Sequence, residues 1–170
     1  MLKSIAMIVL FAVFSLCGNS FAVHLKRRIE GIEELLAGVR GLGTLMRYQR
    51  KPLSELIHQL NMQRDCVLWK ELAVLLQYCG FCDAWEQALN TASGKEIRIA
   101  ALAAPELAIM LDLAKELGRS DFISQQRQLK LAESSLEEIL STAADKQQRC
   151  AKLYRTLGIS FGIVCAVLIW

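Results

Sequence analysis

Cys79 and Cys82 bracket Gly80-Phe81 in a C-x-x-C spacing, which suits a dithiol redox pair or half of a zinc site. A thioredoxin-type site needs a strand before the motif and a helix after it, so that the helix N-terminus favours the thiolate. Here the apolar spacing predicts a helix before the motif, while Asp83 starts another just behind it. A structural zinc needs four ligands, and the chain has neither a second C-x-x-C nor a close pair of histidines. The competing reading makes Cys79 and Cys82 small buried hydrophobes around a turn at Gly80, kept reduced in a cytoplasmic domain. His24 lies at the edge of an apolar segment and His58 on an amphipathic run, so neither joins a Ser-His-Asp or His-carboxylate set. The residues therefore predict no catalytic group, no metal and no cofactor.

Gly38-Val39-Arg40-Gly41-Leu42-Gly43 has the glycine density of a nucleotide loop but lacks the GK[ST] ending and falls inside a helical pattern. Small residues that let helices approach closely explain it better. Glu133, Glu137 and Glu138 read as the solvated face of a long helix. Trp69 and Trp85 read as core or groove residues of a layer of small helices, with Trp85 also a candidate partner anchor. Near the C-terminus, Gly158-x-x-x-Gly162, extended by Ala166, is a spacing that lets apolar helices pack closely, either on the first apolar segment or on another protein. Chance in a glycine-tolerant segment explains it equally well.

The elements that would position these residues follow from the charge and hydropathy pattern. Apolar residues make up 54% of the 170, high for a purely soluble chain, and the excess lies at both ends. Residues 4–23 carry no charge and reach spanning length, whereas 156–170 is a 15-residue segment, shorter than the roughly 20 residues a bilayer core takes. Tyr154 and Trp170 can anchor that short span, and Lys152 and Arg155 can snorkel. We read 1–23 as an N-terminal transmembrane helix, 24–155 as a cytoplasmic helical domain and 156–170 as a C-terminal transmembrane segment. Lys26, Arg27 and Arg28 after the first segment, and Lys146, Arg149, Lys152 and Arg155 before the last, both place the middle domain in the cytoplasm. A rival reading makes the N-terminal segment a signal peptide cleaved after Ser20-Phe21-Ala22, which leaves a secreted helical binding protein. The net charge of +3 is small, and its basic residues gather beside the apolar segments. That distribution fits lipid headgroups and argues against nucleic acid.

The middle is all-α, an antiparallel bundle of about six helices. Leu25, Ile29, Ile32, Leu35, Leu36, Val39, Leu42, Leu45 and Met46 form one continuous stripe, so the first helix runs from the apolar segment into the domain. Pro52 opens the second helix, the third covers roughly 64–78, and Asp83 with Glu86 starts a short fourth, AWEQAL, before a loop NTASGKE. Pro105 opens, or follows the opening of, the fifth, through Leu117. Gly118 then suits a left-handed C-cap, and Ser120 or Asp121 can accept the first free amides of the sixth helix. Phe122, Leu129, Leu136, Ala143 and Cys150 recur every seven residues along it. Ser120, Asp121, Gln125 and Gln126 thus form a polar elbow, and Asp121 is either a cap alone or also a docking residue.

These features together resemble the stage III sporulation protein AB family. The likeness rests on an apolar segment at each end, on Tyr48 with Pro52-Leu53-Ser54-Glu55, and on Ala84-Trp85-Glu86. It extends to Leu117-Gly118-Arg119-Ser120-Asp121 with Gln125-Gln126, and to Leu157-Gly158 and Gly162. Members often carry an acid three positions before the Tyr, where this chain has Leu45. The resemblance implies a non-enzymatic platform in the secretion-like channel complex between mother cell and forespore, anchored in the mother-cell-derived membrane with its domain facing the mother-cell cytoplasm. It also implies membrane-protein and ATPase partners, and a domain similar to the inner-membrane platform protein of type II secretion systems. No small-molecule substrate is expected. A membrane-bound thiol oxidoreductase using Cys79 and Cys82 is the alternative from a different class.

Overall fold

The computed structural model describes the backbone of residues 2–49, 51–119 and 121–169, and the side chains of 23–49, 51–119, 121–150 and 153. All regular structure among these residues is helical: α1 Leu2–Tyr48, α2 Leu53–Gln63, α3 Val67–Leu75, α4 Phe81–Lys95, α5 Ile97–Ala100, α6 Ala104–Leu117 and α7 Phe122–Ile169. The chain divides into two compact units, residues 1–26 with 142–170, and residues 27–141. The apolar side chains that predict the two membrane segments fall almost wholly outside the described residues. Among the described residues no helix is long and apolar enough to cross a membrane.

The second unit is built on the stripe of α1. Ile32, Leu35, Leu36, Val39, Leu42 and Met46 are buried, because spacings of three and four keep them on one face of the helix. That face also carries notches. A Cβ added to Gly38 would lie 2.0 Å from Cζ2 of Trp69, one at Gly31 would lie 2.4 Å from the Arg98 carbonyl oxygen, and one at Gly41 would lie 2.8 Å from Cδ1 of Leu60. Thus α3, α5 and α2 each seat against α1 where a side chain is missing, as close helix approach requires. Gly43, by contrast, meets nothing within 4 Å. The small helices pack on one another through α4, which touches α3, α5 and α6. The indoles of Trp69 and Trp85 meet edge to face at a centroid distance of 5.8 Å and an angle of 85°, a favoured geometry for rings.

Several boundaries differ from those predicted. The third helix is shorter than 64–78: residues 64–66 leave helical geometry and the chain turns after Leu75. The fourth begins at Phe81, with Gly80 as N-cap, and runs to Lys95, so NTASGK is helix and not loop. Ala88, Leu89 and Ala92 explain this, since burying all three on the face that meets α3 and α6 overrides the weak propensities of Thr91, Ser93 and Gly94. Asp83 sits in the first turn of that helix, where its charge complements the free amides. The four-residue α5 is additional. Pro105 follows the opening of its helix by one residue, in the first turn after Ala104, and the carboxylate of Glu106 turns back to accept the Ala103 backbone N–H at 3.0 Å.

Glu106 has no exposed side-chain surface. Its other oxygen accepts from Arg28 Nε at 2.9 Å and Nη2 at 2.5 Å, which pins the start of α1 in this unit to the first turn of α6. The reading of Arg28 as a residue for lipid headgroups is corrected accordingly, since its charge is used inside the bundle. At the other end of the small-helix layer, Glu96 accepts the Val67 N–H at 3.2 Å and the Cys66 thiol at 3.7 Å, supplying an acceptor for the free N-terminus of α3.

Candidate functional site

The elbow between α6 and α7 is held by three local devices. Gly118 is right-handed, with φ −76, so the predicted left-handed cap is absent and its N–H simply bonds the Ala114 carbonyl at 3.1 Å. The carbonyl of Leu117, one of the last four that a helix leaves unpaired, accepts instead from Gln125 Nε2 at 2.8 Å. Gln125 therefore ties the end of one helix to the start of the next, and it is a positioning residue of the turn. Asp121 accepts from the Ser124 hydroxyl and from backbone amides of the first turn, which holds its carboxyl below the usual range. It remains fully exposed and caps α7, as predicted. Ser120 lies outside the described residues.

The elbow sets α7 against α1 as an antiparallel neighbour, since the C-terminal end of α1 and the N-terminal end of α7 line one groove of about 780 Å³. Val39, Arg40, Gly43, Thr44 and Arg47 form one wall, while Ile123, Gln126, Arg127, Leu129, Lys130 and Glu133 form the other. Val39 and Leu129 are buried at its floor, and Ile123 stands 76% exposed at its mouth. Arg40 clamps the two walls together, with Nε on Glu133 at 2.7 Å and Nη2 on Glu137. Glu133 and Glu137 are therefore interhelical ion-pair partners as well as solvated side chains, which corrects the simpler expectation.

The predicted site residues thus separate. Gln126 lines the groove, Asp121 and Gln125 build the turn that positions it, and Trp85 lies elsewhere. Trp85 is wholly buried, packed between Trp69 and Phe81, so its candidacy as a partner anchor is withdrawn: no part of the ring reaches the surface. Gly158, Gly162 and Ala166 lie outside the described residues. Cys79 and Cys82 are free thiols of intermediate exposure, and the Cys82 thiol donates to the Ala114 carbonyl at 3.6 Å. Cys66 is buried, and desolvation pushes its thiol up to about 11. Among the described residues no group of His, Cys, Asp and Glu could hold a metal ion.

Arg40, Thr44, Arg47, Arg127 and Lys130 were not anticipated as site residues. The basic residues do not lie only beside the apolar segments, because helix pairing gathers these four cations, separated by some eighty residues of chain, along one groove. The signal that could have found them is the spacing 40, 43, 44, 47 on α1 and 123, 126, 127, 130 on α7. Each set is a single helix face carrying polar and basic residues next to an apolar stripe.

An all-α bundle with capped elbows and an open interhelical groove is the class of protein these observations define. The stage III sporulation protein AB family matches residues 3–170, and the chain belongs to that family, with a role in sporulation. A solved structure titled stage III sporulation protein AB is similar to it with a TM-score of 0.63 and 26% identity, over 72% of this chain and 98% of that one. A comparison with curated proteins finds no match.

Proposed function

We propose that the chain is a non-enzymatic, membrane-anchored platform of the secretion-like channel complex between mother cell and forespore, joining an ATPase to membrane parts of that channel. Residues 1–23 and 156–170 are its anchors, and 24–155 faces the mother-cell cytoplasm. Its partners are other membrane proteins of the complex, and the α1–α7 groove is where one of them docks. The observation that carries this reading is the groove itself, where exposed cations flank an apolar floor.

Deletion of the gene is expected to lower the count of heat-resistant spores sharply. Full-length protein and a Cys79→Ser/Cys82→Ser variant should restore it equally, and the protein should remain in the membrane fraction with an intact N-terminus. Normal sporulation in the deletion strain would refute the platform. Failure of the double Ser variant alone, with normal protein abundance, would instead favour the thiol oxidoreductase.

A further inference from the structure

We infer that the groove between α1 and α7 seats an acidic helical segment of a partner protein. The inference rests on the docking reading above and names its ligand. Arg47, Arg127 and Lys130 line the groove and are exposed, and none of them has an ion-pair partner among the described residues. Arg40, the fourth cation, is already engaged by Glu133 and Glu137. Three uncommitted cations surround an apolar floor of Val39 and Leu129, with the bare side chain of Ile123 at the rim. Such a surface asks for carboxylates flanking an apolar contact.

The shape of the occupant follows from the walls. From Val39 to Arg47 is eight residues and from Ile123 to Glu133 is ten, or about 12 and 15 Å at a rise of roughly 1.5 Å per residue. A lone phosphate or small anion would leave the apolar floor of Val39 and Leu129 and the exposed Ile123 without a contact. Arg127 and Lys130, one turn apart on α7 with Arg47 across from them, match carboxylates at i and i+3/i+4 of a helix whose apolar side chains lie on that floor. Nucleic acid would need a broader basic stripe, with aromatic or base-reading side chains that this lining lacks.

The test places a photo-crosslinking amino acid at position 123 of the full-length protein in sporulating cells, with the exposed His58 position of α2 as control. Irradiation should yield a crosslink to another protein, mapped by mass spectrometry to a helical segment with more Asp and Glu than Lys and Arg over two turns. Arg127→Glu with Lys130→Glu should cut that yield about tenfold or more, equivalent to roughly 1.4 kcal/mol. The amount of protein and its helical circular dichroism should not change, and spore counts should fall in parallel. Crosslinks only to lipid, crosslinks to a second copy of this chain, or a partner segment without excess acid would overturn the inference. So would a yield that charge reversal leaves unchanged, or no crosslink above the His58 control. A deletion strain that sporulates normally refutes the platform, whereas a defective deletion strain restored fully by the charge-reversed chain refutes only the acidic occupant.

Discussion

Gly38→Ala tests the packing of the bundle against helix propensity, because the two make opposite demands at this position. In an exposed helix interior the change would stabilise by about 1 kcal/mol, since alanine loses less backbone freedom. Here the new methyl would sit 2.0 Å from Cζ2 and 2.4 Å from Cε2 of Trp69, well inside the roughly 3.5–4.0 Å of an unstrained carbon contact. The indole cannot retreat freely, since it is fully buried and meets Trp85 edge to face. Overpacking of this kind costs about 1–3 kcal/mol, and the overlap places it at the upper end. The expected net loss is therefore about 2 kcal/mol. Gly43→Ala is the internal control: nothing lies within 4 Å of the added carbon, so it should gain up to about 1 kcal/mol. Urea unfolding of the full-length protein in detergent, followed by tryptophan fluorescence, should separate the two variants by about 2–3 kcal/mol with the wild type between them. A Gly38→Ala protein as stable as the wild type would refute the notch.

Other perturbations read the ion pair, the elbow and the thiols. Arg28→Ala should destabilise by about 3–5 kcal/mol in the same unfolding assay, because it strands the Glu106 carboxylate where none of its side-chain surface reaches water; a loss under 1 kcal/mol would show that the pair is dispensable. Asp121→Ala should lower stability at pH 7 by an amount that shrinks in acid. The Asp121 carboxyl is held down by the Ser124 hydroxyl, so its contribution is present above the unfolded value near 4 and is lost as pH falls through the folded value. A gap between wild type and variant that stays constant from neutral to strongly acid pH would remove the cap. Iodoacetamide at pH 8 should leave Cys66 unmodified in the native protein, since its thiol is pushed up to about 11 and is buried, while Cys79 reacts; peptide mapping that finds equal modification would contradict that burial.

How far the sequence carries the fold depends on where the determining contacts lie. The helices α1, α2, α6 and α7 are legible because each shows its own periodicity or proline start; the buried set on α1 is largely the stripe, whereas on α7 Leu129, Leu136 and Ala143 of the heptad are buried but Phe122 at its start is exposed. The second half of α4 is not legible, since Thr91, Ser93 and Gly94 look like loop residues until Ala88, Leu89 and Ala92 acquire neighbours from α3 and α6. Gly118 shows a similar limit: a glycine after a helix invites a left-handed cap, but a glutamine seven residues on satisfies the carbonyl instead. The elbow was therefore legible as a turn, and Gln125 as part of it, but not which backbone group it would serve. The groove was not legible, because Arg40 and Arg47 come to line one surface with Arg127 and Lys130 only when α7 folds back. Glu106 was hidden for the same reason, as its partner is 78 residues away.

The Arg28–Glu106 pair has a mechanical side. α1 passes into the bundle at Arg27, so a pull on this helix from its N-terminal side loads an ionic latch one residue further on. The hydrogen-bonding part of that pair is directional and weakens steeply as its geometry is lost, whereas apolar contact is non-directional. Glu106 also keeps its second oxygen on the Ala103 amide, so the first turn of α6 holds the carboxylate in place by a bond that does not depend on Arg28.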